Sequence, residues 1–258
     1  VICTLHGSDV HGWNAGPWRW LKSLALRRAD LVTTVSDHLR ALIVALGVSP
    51  RRVHVAPMGV DTAGAFRPNT EGSGPRSGAV FVGRLMAGKG VDVLLRAWAQ
   101  LPAGPDAAQL IVVGDGHERR ALQAQAISLG LGDRVRFTGA LPPSAVGDQF
   151  RAATVAVFPF TGAEGLGLVV AEAQACGCPV IASDIPAVRD TIVSEVTGLV
   201  TPPGDAQALA HAISRLLFDA GFAQRLADAG RAATLKRFSW AVVGARYREL
   251  FRDLIRSH

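Results

Sequence analysis

The chain has 258 residues, of which 49% are apolar and 19% are charged, with a net charge of +6. These values suit a globular protein with one large α/β domain or two smaller ones, and no apolar run reaches the roughly 18 residues of a bilayer-spanning helix. The excess of Lys and Arg favours an anionic partner such as a phosphate, a nucleotide or an acidic lipid surface. No segment matches a DNA-reading module, so we expect no nucleic-acid partner.

The cysteines are few and odd in number: Cys3, Cys176 and Cys178. This count argues against a disulfide framework and indicates a reducing compartment, so we expect a cytoplasmic protein. The spacing of Cys176 and Cys178 is wrong for a zinc knuckle, and no second pair exists. We therefore expect both to be small buried residues beside a helix end.

The first 62 residues predict three strands and two helices. The strands fall at 2–5, 31–35 and 53–56, and the helices at 18–28 and from Ser36, which is placed as an N-cap, to Leu46. Three strands are few for an independent α/β domain, and the chain does not begin with Met. We therefore expect an N-terminal truncation, with residues 1–62 closing a domain whose beginning is absent.

A break rich in Pro, Gly and Ser follows at 66–77 and has the composition of an interdomain linker. Predicted strands then fall at 79–82, 110–113, 135–138, 154–158 and 179–182, with helices at 91–100, 118–129 and 168–176. Apolar strands separated by helices indicate a parallel sheet covered on both faces. Such a doubly wound domain binds its ligand at the carboxyl ends of the strands.

The last segment, 239–258, predicts an amphipathic helix. Its apolar stripe comprises Trp240, Val243, Tyr247, Leu250 and Leu254. Two interpretations are open, because the arginines on this helix and near 18–28 also suit an anionic membrane surface. Packing between domains is the favoured one, and peripheral contact with the inner face of the cell membrane is the alternative.

The most informative segment opens the helix at 168–176. Glu164 and Gly165 precede it, Gly167 adjoins it, and the free N–H groups at a helix start favour a phosphate. Glu172 follows about two turns inside the helix, roughly 11 Å further on. That separation exceeds the roughly 5 to 9.5 Å between the two carboxylates of a glycosidase active site. We therefore expect the two carboxylates to bind different parts of one long ligand.

Glu172 has apolar or small neighbours, Val169, Val170, Ala171 and Ala173. The helix is therefore expected to be largely buried, and a buried carboxylate is costly without a partner. We expect ligand contact at Glu172, against the alternative of a surface helix glutamate.

A second segment, 81–90, is also a strand end, a loop and a helix start. The Arg84 guanidinium can donate two parallel hydrogen bonds to phosphate oxygens, and Lys89 adds a positive charge. The Walker A order is absent, and on its own such a loop is more often solvated surface. No Asp-x-Asp pair occurs in the chain, so we expect no metal ion or other cofactor, with Arg84 and Lys89 neutralising a leaving diphosphate instead.

Two further strand ends carry weaker signals. Gly114 and Gly116 form a turn but not a complete G-x-G-x-x-G fingerprint, which lowers the case for a nicotinamide dehydrogenase. His6 follows the first strand and precedes a glycine. A lone histidine is more often structural, but from this position it could face the crevice.

Together these segments resemble the large family of retaining glycosyltransferases with two facing Rossmann-like domains (GT-B type), which includes bacterial mannosyltransferases and sucrose synthase. The hallmark is a Glu-x7-Glu motif, here Glu164 to Glu172. The segment 81–90 looks like the diphosphate-binding loop of the family. Two other strand-end turns of the family resemble the segments 112–116 and 137–139. The family's domain-closing signatures resemble the segments 6–7 and 58–61. Gly88 departs from the acidic residue common before the lysine.

The resemblance implies an α/β fold in which 1–62 belong to a partial acceptor-side domain. Residues 63–238 would form a complete donor-binding domain, and 239–258 a helix crossing back. The expected function is transfer of a hexose from a UDP- or GDP-sugar to a hydroxyl of an unidentified glycan or glycolipid, with retention and without metal. The alternative is a truncated, non-catalytic sugar-nucleotide-binding module.

The resemblance also implies residue roles. His6 would approach the reacting carbon, Arg84 and Lys89 would hold the diphosphate, and Glu164 would bind sugar hydroxyls. Glu172 would bind the ribose, and the backbone from Gly165 to Val169 would cradle sugar and phosphate. The implied donor-binding residues are Gly83, Gly114, Gly139, Gly165, Leu166, Gly167, Leu168, Val169 and Glu172.

Overall fold

The computed structural model describes residues 1–12, 16–69, 74–102 and 108–256. Its first sheet has three parallel strands, β1 (Ile2–Leu5), β2 (Leu31–Thr34) and β3 (Val53–Val55), in the order β1-β2-β3. The accompanying helices are α1 (Gly7–His11), α2 (Gly16–Arg28) and α3 (Asp37–Ala45). The three predicted strands are confirmed, whereas α1 was not predicted.

Helix α3 begins where the sequence predicts. The Ser36 hydroxyl oxygen accepts a hydrogen bond from the Leu39 N–H at 3.3 Å, which satisfies one of the unpaired donors of the first turn. Leu39 and Ile43, one turn apart, are fully buried. This face fixes the helix against the first sheet, so the loop after β2 has a defined position.

The second sheet has six parallel strands. They are β4 (Ala79–Val82), β5 (Leu110–Val113), β6 (Val135–Gly139), β7 (Val155–Phe158), β8 (Val180–Ser183) and β9 (Leu199–Thr201). Their spatial order is β6-β5-β4-β7-β8-β9. The order therefore reverses between β4 and β7, which is the Rossmann arrangement with its ligand crevice at that switch point.

Helices cover both faces of this sheet. They are α4 (Val91–Ala99), α5 (Arg119–Ser128), α6 (Pro143–Ala152), α7 (Leu168–Ala175), α8 (Pro186–Arg189), α9 (Ala206–Phe218) and α10 (Ala220–Phe238). Val80 and Phe81, adjacent in β4, belong to two different buried clusters, because successive strand residues point to opposite faces. The Val80 cluster also contains Val35 and Ile43, so apolar packing continues from the second sheet into the first.

The chain crosses between the sheets near Val60 and again near Ser239. The Val60 N–H donates to the Phe238 carbonyl oxygen at 2.6 Å, and Val60 and Ser239 form a parallel bridge. The last helix, α11 (Trp240–Arg256), then returns, and its Tyr247 hydroxyl donates to the Ala56 carbonyl oxygen at 3.4 Å. Packing of α11 against the first sheet is thus observed, while the domain boundaries at 62 and 238 stay predictions.

The linker-like break is tied to the second sheet at its end. The Arg76 guanidinium donates to the carbonyl oxygens of Phe150 at 2.9 Å, Ala153 at 3.1 Å and Cys176 at 3.1 Å. Thr70, Gly72 and Ser73 of this segment lie outside the described residues. Cys176 and Cys178 are fully buried as predicted, and burial raises the pKa of each thiol to about 12.

Within the described ranges, none of the helices combines the length and apolar character needed to cross a bilayer. Exposed aromatic side chains do occur on α2, at Trp18 and Trp20, and at the start of α11, at Trp240. Peripheral contact with a membrane and a cytoplasmic location stay predictions.

Candidate active site

The predicted charged residues lie at the switch point of the second sheet. Arg84 and Lys89 belong to the loop after β4, and Glu164 to the loop after β7. Because β4 and β7 are neighbouring parallel strands, both loops leave the same edge of the sheet. Residues about 75 positions apart in sequence therefore meet there.

Lys89 and Glu164 form an ion pair between Nζ and Oε1. Their side chains are only 18% and 17% exposed, so the pair is partly shielded from water. The Lys89 ammonium also lies 5.3 Å from the centroid of the Phe160 ring, at a distance typical of a cation–π contact. The pair fixes two flexible side chains before any ligand binds.

A cavity of about 310 Å³ surrounds this pair. Its walls are Gly7, Arg84, Met86, Ala87, Gly88, Lys89, Gly162, Ala163, Glu164 and Gly165. Arg84 is exposed and forms no ion pair with any described residue. The cavity thus offers one free guanidinium and one lysine that already has a carboxylate partner.

Glycine backbones bring the loops into direct contact. A Cβ atom on Gly7 would lie 2.7 Å from the Cα atom of Gly165, closer than real Cβ contacts allow. The Gly88 carbonyl oxygen accepts the Thr161 and Gly162 N–H groups at 2.9 and 3.0 Å. The cavity is therefore closed by backbone from both sheets, since Gly7 follows β1 and Gly165 follows β7.

Helix α7 begins directly behind this loop. Gly167 is its N-cap with φ of 67°, a left-handed conformation that favours glycine, and it supplies no capping side chain. The N–H groups of Leu168 and Val169 thus lie in the uncapped first turn, which suits an anion. Of the predicted segment 165–169, Gly165 lines the cavity, whereas the side chain of Leu166 lines a different one.

Glu172 lies on α7, half-buried among fully buried Ala171 and Ala173. Desolvation by this burial raises the pKa of its carboxyl group to about 7. Hydrogen bonds from other described side chains to this carboxyl are absent. The expected burial is confirmed, but Glu172 is not among the residues that line the cavity.

The three predicted strand-end glycines form a connected edge beside the cavity. The Gly114 N–H donates to the Gly139 carbonyl oxygen at 2.8 Å, and the Gly83 N–H to the Val113 carbonyl oxygen at 3.0 Å. Gly114 has φ of 133°, and a Cβ atom there would lie 1.9 Å from the Gly83 carbonyl oxygen. These glycines allow close packing of strand ends, but they do not themselves line the cavity.

His6 is exposed, and its neighbour Gly7 lines the cavity in its place. The His6 N–H donates to the Asp9 carboxylate at 2.9 Å, which fixes the backbone at the start of α1. Sequence reasoning missed Met86 and Gly162 as lining residues. Gly162 could have been found from the rule that glycine follows a buried strand at a ligand crevice, but Met86 carries no such signal.

The family described as Glycosyl transferases group 1 matches residues 68–233, well over half of the chain. The chain belongs to this family. A second family, Glycosyltransferase Family 4, matches residues 1–63. The predicted family membership is confirmed.

Curated relatives agree with this assignment. The GDP-mannose-dependent alpha-(1-6)-phosphatidylinositol monomannoside mannosyltransferase of Mycolicibacterium smegmatis is 34% identical over 97% of this chain and 69% of its own length. The D-inositol 3-phosphate glycosyltransferase of Acidothermus cellulolyticus is 36% identical over 81% of this chain and 50% of its own length. This chain therefore spans half to about two thirds of these relatives.

Solved structures show the same fold. Sucrose-phosphate synthase from Thermosynechococcus elongatus matches all of this chain and 68% of its own, with a TM-score of 0.86 and 31% identity. The Anabaena protein HepE, solved with UDP and glucose, matches 97% of this chain and 71% of its own, with a TM-score of 0.85 and 24% identity. The predicted α/β fold of the GT-B type is confirmed.

Proposed function

We propose that this protein transfers a hexose from a UDP- or GDP-sugar to an acceptor hydroxyl. The observation that carries the proposal is the convergence of Arg84, Lys89 and Glu164 on one cavity at the switch point of a Rossmann sheet. Such a crevice binds nucleotides, and guanidinium and ammonium groups bind phosphate. Glu164 adds a carboxylate that can accept hydrogen bonds from sugar hydroxyls.

In this proposal the donor rearranges the ion pair. The diphosphate takes Lys89 as its partner beside Arg84, and Glu164 turns to the hydroxyls of the sugar. Positive charge fixed beside the leaving diphosphate stabilises the negative charge that develops there as the glycosidic bond breaks. The backbone N–H groups from Gly165 to Val169 support the sugar and phosphate, and Glu172 binds the ribose.

Retention and independence from metal belong to the same proposal. Glu164 lies in the loop before α7 and Glu172 about one turn inside the helix, and only Glu164 lines the cavity, so the site offers no pair of carboxylates for a double displacement through the protein. Retention then follows from attack on the face that the leaving diphosphate occupies, with the phosphate taking the acceptor proton. Among the described residues, His, Cys, Asp and Glu form no group of three that could hold a metal ion.

The acceptor is proposed from the relatives. The mycobacterial relative is named for GDP-mannose and for a phosphatidylinositol mannoside, and the second relative for D-inositol 3-phosphate. A glycolipid or an inositol-based hydroxyl is therefore the acceptor class to test first. The second candidate function, sugar-nucleotide binding without turnover, is favoured by one observation, that the chain spans 50% to 69% of these relatives.

The test compares Glu164→Gln and Glu164→Ala with Glu249→Gln, an exposed glutamate on α11. We expect both Glu164 variants to lower transfer from UDP-glucose or GDP-mannose by about 10- to 100-fold, the loss of a charged hydrogen bond. The control should transfer at the unchanged rate. Parallel assays with EDTA test metal dependence, and NMR of the product anomer tests retention.

The outcomes separate the candidates. Nucleotide binding by titration without transfer or donor hydrolysis would support the binding module. Unchanged transfer by Glu164→Ala would contradict the enzymatic role of the site. Loss of transfer in EDTA would overturn metal independence alone.

A further inference from the structure

A second cavity, of about 420 Å³, lies where the two sheets meet. Leu166 lines it, while the preceding Gly165 lines the first cavity, so one loop separates the two. One wall comes from the segments after β2 and around β3, between 35 and 57. The other comes from Asp190 and from the end of α10 and start of α11, between 236 and 246.

The lining of this cavity is unusually rich in cations. Five of its side chains carry positive charge: Arg40, Arg51, Lys236, Arg237 and Arg246. None of the five forms an ion pair with a described residue. These cations come from both walls, so the positive charge surrounds the cavity and does not lie along one helix face.

Two carboxylates, Asp37 and Asp190, also line the cavity and offset only part of this charge, with Arg237 attracting Asp190. Asp190 accepts the backbone N–H of Asp37 at 3.0 Å, which joins the first sheet to the second, and Asp37 is exposed. Arg40 donates to the carbonyl oxygens of Val53 at 3.0 Å and Pro50 at 3.3 Å. These bonds fix the walls and leave the charge of Arg40 without a counter-ion.

Like charges that converge on a concave, partly shielded space repel one another. An anion with several oxygens relieves that repulsion and uses the donors of guanidinium groups, which match phosphate geometry. The volume lies within the range typical of small-molecule sites. His54 adds an imidazole group to the lining of the cavity, and its Nε2 lies 3.1 Å from the Arg51 carbonyl oxygen.

We propose that this cavity is a second ligand site, which binds a compound carrying at least two phosphate groups. It is distinct from the first cavity, because none of its lining residues lines both. The phosphate groups belong either to a soluble metabolite or to a lipid headgroup. The occupant contacts both sides of the crossing at Val60 and Phe238, so its binding stabilises one relative position of the two sheets.

The test starts from the double variant Arg84→Ala with Lys89→Ala, in which phosphate binding at the first cavity is removed. In this background, inorganic pyrophosphate is titrated calorimetrically, and vesicles of phosphatidylcholine with phosphatidylinositol 4-phosphate, a lipid with two phosphate groups, are tested by sedimentation. We expect saturable binding in one arm, which identifies the soluble or the lipid source. Adding Arg51→Glu and Arg246→Glu, both exposed, is expected to weaken this binding at least about tenfold.

The matched control adds Arg252→Glu and Arg256→Glu, which change the net charge equally on exposed positions of α11 outside the cavity. Retained binding in the control supports the proposed site. Binding in neither arm, or equal loss in control and cavity variants, overturns it. Circular dichroism of each variant verifies the fold, and activity of the first cavity plays no part in the readout.

Discussion

At the scale of single residues, Glu172 shows how burial without a hydrogen-bond partner changes the pKa of a carboxyl group. It lies about one turn from the start of α7, not two turns as predicted, and its neighbours Ala171 and Ala173 are fully buried. Other described side chains supply no hydrogen bond, so desolvation alone raises its pKa to about 7. Near neutral pH this group is thus divided between its neutral and ionised forms.

A pH-dependent effect on stability follows from this shift. In the unfolded chain the pKa of Glu172 is near its ordinary value of 4.5, whereas burial in the folded protein raises this pKa to about 7. The folded state binds more protons between these values, so the free energy of unfolding falls as pH rises through that window and levels off above it. Chemical denaturation of wild type and Glu172→Gln across pH 4 to 8 measures the difference.

We expect Glu172→Gln to lack this component, and therefore to gain stability relative to wild type as pH rises, by at most about 3 kcal/mol. Equal pH dependence in the two proteins would show that Glu172 is solvated in the folded state. If nucleotide ribose binds the ionised carboxylate, saturating nucleotide should reduce the difference.

Gly7 provides the second prediction at this scale. Gly7→Ala places a methyl group 2.7 Å from the Gly165 backbone, which has no flexible side chain to move aside. We expect the loops after β1 and β7 to separate. Either the free energy of unfolding or the free energy of donor binding should then become less favourable by about 1 to 3 kcal/mol. Gly74→Ala is the control, since its Cβ would meet nothing within 4 Å.

Thermal denaturation and nucleotide titration check both variants. A Gly7→Ala protein as stable and as well bound as Gly74→Ala would mean that the two loops do not touch in solution.

Arg84, Lys89 and Glu164 could be placed from the sequence, because a residue that follows a buried parallel strand lies at the carboxyl edge of the sheet. The ion pair of Lys89 with Glu164 and the contact of Gly7 with Gly165 could not. Each joins segments that are remote in sequence, so its existence depends on which strands are neighbours. His6 was placed at the correct strand end, but the direction of its side chain depends on the turn at α1.

At the scale of elements, a buried polar network holds α7 in place. The Gln174 amide donates to the Thr197 carbonyl oxygen at 2.9 Å and accepts from the Thr234 hydroxyl at 2.8 Å. Gly230 of α10 packs beside it, where a Cβ atom would lie 2.8 Å from the Thr197 carbonyl oxygen. The helix that supports the donor loop is therefore fixed at its far end.

Gln174→Ala is expected to lower the free energy of unfolding by about 2 to 5 kcal/mol, because it leaves two buried groups unsatisfied and opens a cavity. Thr234→Val, which removes one hydroxyl and keeps the volume, should cost less. Denaturant unfolding measures both changes. A smaller cost for Gln174→Ala than for Thr234→Val would contradict the network.

The apolar strands up to residue 182 and the terminal helix α11 were predicted, whereas α6 and the elements between residues 183 and 238 were not. Strand β9 has three residues, too few for a pattern, and it is a strand because it pairs with β8. Helix α9 begins at Ala206, after the N-cap Asp205, whose carboxylate accepts the Gln207 and Ala208 N–H groups. Helix α10 is rich in alanine, and its burial against α7 is a tertiary effect.

At the scale of the whole molecule, the order of the strands decides where a ligand binds. Local patterns predict that strands exist, but not that β4 lies between β5 and β7. That placement follows from the right-handed crossovers and from packing on both faces. The reversal between β4 and β7 is what creates the crevice.

Nucleotide binding should raise the stability of the entire chain. At 100 times its dissociation constant, UDP or GDP is expected to add about 2.7 kcal/mol, which corresponds to roughly 5 to 10 °C in Tm for a chain of this size. Arg84→Ala with Lys89→Ala should lose most of this shift. Differential scanning calorimetry with UDP, GDP and AMP makes the comparison, and equal shifts with all three would contradict a site for nucleoside diphosphates.

The paired state of Lys89 and Glu164 has a consequence for turnover. In the proposed donor complex, Lys89 turns to the diphosphate while Glu164 accepts hydrogen bonds from the sugar hydroxyls. A nucleoside diphosphate without its sugar would separate the pair and offer Glu164 no hydroxyl in exchange. Re-formation of the ion pair would then favour release of the spent nucleotide.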